Sequence, residues 1–445
     1  MATFDIDIER IYKPNQNHKV IYYKDKILII MPLSANWIVL ENKEQLDIFD
    51  FLVSGKTIKE TLENEHFSPN HVTYVISQIE ARRLFSKKTH KCTIEGRSLH
   101  IYLTNKCNLL CPHCYMFSGK ANENEISTEE VISLLKDYKE IAKGTNVTFS
   151  GGEPSTRIDF ETILKTSYEL GLKVKVLTNG VLMTPSFIEK IAKYISSVQI
   201  SIDGYSEESN AVIRGKGHFQ KAVGAVECFI SHGIETSIAI TPSLESLREN
   251  SSQFVKFAQD LMGKYDEHLE IKFAEGLING RKISPTLSYN TQYAEEINSI
   301  QKAIYGEQYN LMTFVDLMNK DVILNNCMFG SLAVSSVGDV YLCSEIDSLV
   351  PIANIRTSKF SDFYEKSKIA EVATEISRLQ PCKECELMYI CGGGCRTKEF
   401  GSLCKRTSFE NLDYDSILPR HCNSNIKERF YQLMIDSNDY LYVQE

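Results

Sequence analysis

The chain lacks any apolar run long enough to cross a bilayer. The longest early one, Ile27 to Leu33, is far short of the roughly 20 residues a spanning helix needs. Its start, MATFDIDIERIYKPN, lacks the charged-then-apolar layout of a secretion signal. Excess positive charge is missing too: the formal net charge is −9, and no basic stripe offsets it, which argues against a nucleic-acid enzyme. These absences read as a soluble, cytoplasmic protein with neither membrane nor nucleic acid as a partner. With 445 residues, 43% of them hydrophobic, the chain can bury a sizeable core and should form more than one domain.

A reducing compartment disfavours structural disulfides, yet the chain carries 13 cysteines. Clustered cysteines in that setting usually bind metal or do redox work. Ten of the 13 fall between Cys107 and Cys114 or between Cys327 and Cys404, and Cys422 follows. Cys92 and Cys228 stand alone, and Cys228, in the apolar stretch AVECFI, reads as a buried inert thiol.

Three regions emerge. In residues 1–90, HKVIYY, ILIIM and WIVL read as three short strands, the first two joined by a hairpin turn at Lys24–Lys26. Helical patterns follow in NKEQLDIFDFLVSG, from Thr57, and from Pro69 to Phe85. SKKTHKCTIEGRS is a polar linker. Residues 95–310 alternate strand and helix. The strands are LHIYLT, NVTFS, KVKVLT, SVQISID, IETSIAI and HLEIKFA, with helices beginning near Thr128, Phe160, Thr184, Phe219 and Leu244. That order predicts a parallel sheet with right-handed crossovers, and six repeats suit an open, partial (β/α)6 TIM-like barrel. Residues 320–445 hold the remaining cysteine field.

In such sheets chemistry collects at the C-terminal ends of the strands. LHIYLT runs into Cys107, Cys111 and Cys114; NVTFS into Gly151-Gly152-Glu153-Pro154; KVKVLT into Asn179-Gly180; SVQISI into Asp203-Gly204. All four groups land on one rim. Three thiolates at C-x3-C-x2-C can bind three irons of a four-iron cube and leave the fourth iron open. A zinc site would want a fourth ligand, which His113 could supply.

With Tyr115 directly after Cys114, this pattern resembles the signature loop of the radical S-adenosylmethionine (SAM) superfamily. The resemblance implies SAM and a catalytic [4Fe-4S] cluster held by Cys107, Cys111 and Cys114. It also implies one-electron cleavage of SAM to a 5′-deoxyadenosyl radical that abstracts a substrate hydrogen. Carried over by position, Gly151 and Gly152 let the backbone approach the ligand, and Glu153 meets the SAM amino group. Asn179 borders the site, Ser201 and Asp203 resemble ribose contacts, and Arg214 resembles the partner of the SAM carboxylate. Tyr115 packs near the adenine. Taken alone, Arg214 could equally be a solvated surface charge, and Asn179-Gly180 an ordinary turn.

Cys327, Cys343, Cys382, Cys385, Cys391, Cys395, Cys404 and Cys422 include C-x2-C and C-x3-C pairs that suit zinc or iron–sulfur sites alike. As a string they resemble the SPASM domain, which implies two auxiliary iron–sulfur clusters. One would use Cys327, Cys343 and Cys395; the other would use Cys382, Cys385, Cys391 and Cys422. The fourth position of the first is either filled by Cys404 or open to a substrate thiolate. Residues 1–90, through WIVLEN, Gly55-Lys56-Thr57 and ISQIEARRLF, resemble the PqqD-like peptide-recognition domain. An exposed strand edge there could accept an extended peptide.

Together these resemblances imply a radical SAM/SPASM maturase of a ribosomally made precursor peptide. Such an enzyme installs a thioether or carbon–carbon crosslink, with a flavodoxin- or ferredoxin-like electron donor. Two other readings stay open. One is an anaerobic sulfatase-type maturase oxidising a Cys or Ser, although Ser344 and Glu345 stand where that branch has an Asp after the cysteine. The other is a non-catalytic, leader-binding electron-transfer adaptor.

Overall fold

The computed structural model describes residues 6–87, 98–320, 323–325, 327, 329–346, 349–397, 422 and 424–441. Cys92, with residues 88–97 of the linker, and Cys404 lie outside the described residues.

Strands β1 (Lys19–Tyr23), β2 (Lys26–Met31) and β3 (Asn36–Leu40) form an antiparallel meander. Helix α1 (Lys43–Val53) starts on Asn42, whose side chain accepts from the Gln45 amide. A Thr57–Glu60 capping box opens α2 (Ile58–Leu62), and Pro69 begins α3 (Pro69–Ala81). Strands β2 and β3 lack polar alternation because both faces are covered. Ile27, Ile29, Ile38 and Leu40 pack on the three helices; Leu28, Ile30, Trp37 and Val39 pack on residues from the C-terminal third. Trp37 Nε1 donates to the carbonyl of Met434 across 3.2 Å.

The central sheet carries six parallel strands: β4 (Ser98–Tyr102), β5 (Asn146–Ser150), β6 (Lys173–Thr178), β7 (Ser197–Ser201), β8 (Glu235–Ile240) and β9 (Leu269–Phe273). Between them run α4 (Thr128–Glu140), α5 (Phe160–Glu169), α6 (Pro185–Ile191), α7 (Glu207–Arg214), α8 (His218–Ser231) and α9 (Leu244–Tyr265). Ile101, Phe149, Val176, Ile200 and Ile238 join the helices in one core. The α/β architecture expected from the strand–helix alternation is present.

The sheet also continues where periodicity gave no signal. Strands β10 (Ala333–Val334), β11 (Asp339–Tyr341) and β12 (Ala353–Asn354) extend it past β4 to nine strands. Strand β10 is parallel to β4, β11 pairs antiparallel with β10, and β12 pairs antiparallel with β11. Runs of two or three residues are too short to show a pattern, but they cover the β4 edge. Helices α10 (Leu287–Tyr305) and α11 (Tyr309–Asn319) lead into this region, followed by α12 (Phe360–Ala373), the short α13 (Met388–Cys391) and a closing helix, Ser424–Asp436. Among the described residues no helix is long and apolar enough to cross a membrane.

Candidate active site

The loop after β4 carries Cys107, Cys111 and Cys114, and neighbouring segments fix its backbone. Glu125 accepts from the Asn105 amide at 2.6 Å and the Thr104 hydroxyl at 2.7 Å. Arg157 donates to the carbonyls of Leu103 and Ile126, each at 2.8 Å. From the segment after β9, Arg281 N–H donates to the Cys114 carbonyl and Lys282 N–H to that of Pro112. A Cβ on Gly280 would sit 2.5 Å from the His113 carbonyl oxygen, so only glycine permits that approach.

Gly151 and Gly152 act on the protein itself. The Gly152 amide donates to the Thr104 carbonyl at 2.7 Å and the Glu153 amide to that of Lys106 at 2.8 Å. A Cβ on Gly152 would lie 2.3 Å from the Lys106 oxygen, and one on Gly151, at φ +141°, 2.3 Å from the Thr104 oxygen. The glycines therefore clamp the β5 loop onto the cysteine loop. The buried carboxylate of Glu153 accepts from the hydroxyls of Ser155 (2.6 Å) and Thr178 (2.7 Å) and from the amide of Asn179 (2.7 Å). Burial raises its pKa against those donors, and the side chain anchors the β5 and β6 loops to each other.

Asn179 reaches back toward the cysteines: its amide nitrogen donates to Asn108 at 2.8 Å and lies 3.9 Å from Cys107 Sγ. Asp203 is buried and accepts from the Thr241 amide at 2.9 Å. Its other oxygen lies 2.6 Å from Arg214 Nε and 3.4 Å from His113 Nε2. The surface reading of Arg214 is therefore corrected: its side chain is 9% exposed and sits in a buried ion pair. The contact is close but poorly aligned, so Asp203 Oδ2 and Arg214 Nε lack a directed hydrogen bond, as do His113 Nδ1 and the Tyr293 hydroxyl. Buried polar atoms of this kind beside three thiols suit a polar, charged ligand. Ser201 ends β7, half-buried. Tyr115 is half-buried, its hydroxyl 3.3 Å from that of Tyr102.

Burial holds the Cys107 thiol up at about 11 and raises Cys111 as well, with the neighbouring thiols adding to the effect on both. Iron would reverse this, because coordination takes the thiolate. Three thiols from one loop, with the orphaned polar atoms beside them, fit a cluster with an open iron and a zwitterionic ligand.

In the C-terminal third, the Cys327 and Cys395 thiols hydrogen-bond, raising Cys327, and the charge of Cys395 also bears on Cys343. Cys327 and Cys395 thus meet from positions far apart in the chain, with Cys343 within electrostatic reach. Cys422 is brought to Cys385, and burial holds the Cys385 thiol at about 11. Lys427 of the closing helix, 2.8 Å from Glu386, and a Tyr431–Glu386 hydrogen bond tie that helix to the residue after Cys385. Cys382 packs on the apolar groups around both sets.

Sequence reasoning passed over Asn210, His218, Glu125, Arg157 and Arg281. The one signal in the sequence is that His218 stands four residues after Arg214, in the stretch IRGKGHF.

Residues 101–250 match the model of the radical SAM superfamily, and residues 326–386 match SPASM, an iron–sulfur cluster-binding domain. The mycofactocin maturase MftC of Mycolicibacterium smegmatis is 30% identical over 312 residues, covering 67% of this chain and 77% of that protein. The AdoMet-dependent heme synthase of Methanosarcina barkeri is 27% identical over 323 residues, covering 67% and 91%. The solved structure of native anSMEcpe with bound AdoMet shares the fold, with a TM-score of 0.56 at 19% identity, covering 78% of this chain and 98% of that one.

Proposed function

This chain belongs to the radical SAM superfamily, in the group that carries a SPASM domain and includes the maturase MftC, and we propose that it crosslinks a ribosomally made precursor peptide. As a radical SAM enzyme it uses SAM and a [4Fe-4S] cluster, with auxiliary iron–sulfur clusters in the SPASM domain. When bound, SAM and the reduced cluster supply a radical that takes a hydrogen atom from the substrate.

The chain's own residues do the rest. Cys107, Cys111 and Cys114 hold three irons. Asp203 and Arg214 present charge, and His113 a neutral ring, to the polar end of SAM, while Asn179 and Ser201 line the neighbouring strand ends. Tyr115 packs beside the cofactor. Cys327, Cys343 and Cys395 ligate one auxiliary cluster, and Cys382, Cys385, Cys391 and Cys422 the other. A flavodoxin- or ferredoxin-like protein delivers the electron. The observation that carries this reading is the thiol loop at the β4 rim, clamped by Gly151 and Gly152.

The relatives include a heme synthase, so a small-molecule substrate is the competing reading. The feature favouring a peptide is the N-terminal meander, which we read as a PqqD-like domain and whose terminal strand β1 leaves Tyr22 65% exposed. An extended leader added at that edge would bind through backbone hydrogen bonds. The core segment would then receive a thioether or carbon–carbon link.

Anaerobically reconstituted protein should hold about twelve irons per chain. Replacing Cys107, Cys111 and Cys114 by alanine should remove about a third of them and all SAM cleavage. Stoichiometric zinc in place of iron would sink the proposal. Tyr22→Asp should weaken precursor binding at least tenfold while SAM cleavage without substrate continues. Unchanged precursor binding would remove the leader-docking part.

A further inference from the structure

Arg396, directly after Cys395, is 1% exposed and the largest fully buried side chain among the described residues. Nε donates to the Thr374 carbonyl at 3.1 Å, one terminal nitrogen to those of Gly392 (3.1 Å) and Gly394 (2.6 Å), and the other to Asn325 Oδ1 at 2.9 Å. The carbonyls of Gly392 and Gly394 reach it because three successive glycines, Gly392 to Gly394, take φ of 70°, 79° and 77°, a run that side chains would not tolerate. The Arg396 amide donates to Cys327 Sγ at 3.2 Å.

These bonds use four of the guanidinium's five N–H groups, and all four acceptors are neutral. Among the described residues no carboxylate pairs with it. Burying an unpaired cation is expensive, and a compensating anion is the usual remedy. Four thiols surround it: Cys395 precedes it in the chain, its amide reaches Cys327 Sγ, its guanidinium holds the carbonyl of Gly392 directly after Cys391, and Cys382 packs against the same apolar groups as Cys327 and Cys391. In the ligand assignment above, two belong to each auxiliary cluster.

We propose that Arg396 is a positioning residue shared by the two auxiliary clusters, its cation balancing their thiolate charge and raising their reduction potentials. Each added electron makes a cluster more negative, so a fixed cation beside it favours the reduced form. The inference rests on that ligand assignment.

The test uses the full chain, anaerobically reconstituted, with Cys107, Cys111 and Cys114 replaced by alanine so that only auxiliary signals remain. Arg396→Gln and Arg396→Lys are made in this background, and each is followed by iron analysis and a redox titration read by electron paramagnetic resonance. Arg396→Gln should load iron and shift the reduction equilibrium at least tenfold toward the oxidised form, about 59 mV for one electron. Arg396→Lys should restore most of that shift. A loaded Arg396→Gln with unshifted potentials overturns the proposal. If Arg396→Gln loses iron, Arg396→Lys decides: loading at parental potentials supports the charge, and loss there too overturns it. A background holding no auxiliary iron overturns the ligand assignment and the inference together.

Discussion

His218 Nε2 donates to the carbonyl of Asn179 across 2.9 Å, tying the start of α8 to the loop after β6. A carbonyl only accepts, so the proton sits on Nε2, and Nδ1 accepts from the Asn210 amide at 2.9 Å. The Asn210 oxygen in turn takes the Asp203 N–H at 3.0 Å. One buried neutral imidazole thus sets the spacing between the Asn179 and Asp203 strand ends.

That imidazole should make stability pH-dependent. Burial first, then the Arg214 charge, depress its pKa from 6.5 to about 4. The unfolded chain then binds a proton that the folded chain refuses, so stability is full above pH 6.5 and falls as pH drops toward 4. The loss at pH 5.5 should be about 1.4 kcal/mol. Anaerobic denaturation at pH 7.5 and 5.5 should show His218→Gln less stable than wild type at the higher pH, with a smaller loss on acidification. Equal losses in both proteins would remove His218 as the cause.

Asp203→Asn should strand Arg214 without its counter-charge, at a cost of about 3–5 kcal/mol. Asp203→Asn combined with Arg214→Met should cost less than the sum of the two single changes. A double-mutant cycle on unfolding midpoints reads the coupling. Additive effects would mean that the 2.6 Å contact contributes nothing.

Gly152→Ala drives a methyl group against backbone oxygens of Lys106 and Asn105, at 2.3 and 2.6 Å before any shift. The variant should lose about 1–3 kcal/mol of stability and most of the iron bound by Cys107, Cys111 and Cys114. Gly263→Ala, in α9 with nothing within 4 Å, is the control and should be neutral or stabilising by up to about 1 kcal/mol. Iron analysis and thermal melting separate the two.

Tyr102, 1% exposed, donates to the carbonyl of Ser344, the residue after Cys343. It thereby joins the barrel's first strand to the auxiliary region. Tyr102→Phe leaves that carbonyl without its donor and should cost about 1–3 kcal/mol. It should also broaden or diminish the first auxiliary cluster's paramagnetic signal while leaving the signal of the Cys107–Cys114 cluster intact. An unchanged melt would show that water satisfies the carbonyl.

Cys404→Ala should lose the first auxiliary cluster if that thiol is its fourth ligand, the expectation drawn from its place nine residues after Cys395. Iron analysis and paramagnetic resonance read the outcome. A cluster that survives, and whose spectrum shifts when a cysteine-containing substrate is added, would assign the fourth position to the substrate thiolate instead.

The sequence by itself determined the rim. Strand and helix periodicities are local, and the turn after a parallel strand must emerge at its C-terminal end. Cys107, Glu153, Asn179 and Asp203 could therefore be placed on one edge without any contact being known. Only the tertiary structure decided what these side chains face. Glu153 turns to Thr178 and Asn179, Arg214 is buried on Asp203, and Arg396 is enclosed beside four cysteines. Likewise a Lys427–Glu386 ion pair ties the helix after Cys422 to the residue beside Cys385. Each of these depends on residues distant in the chain, where neither spacing nor propensity carries information and the direction of a side chain is set by packing.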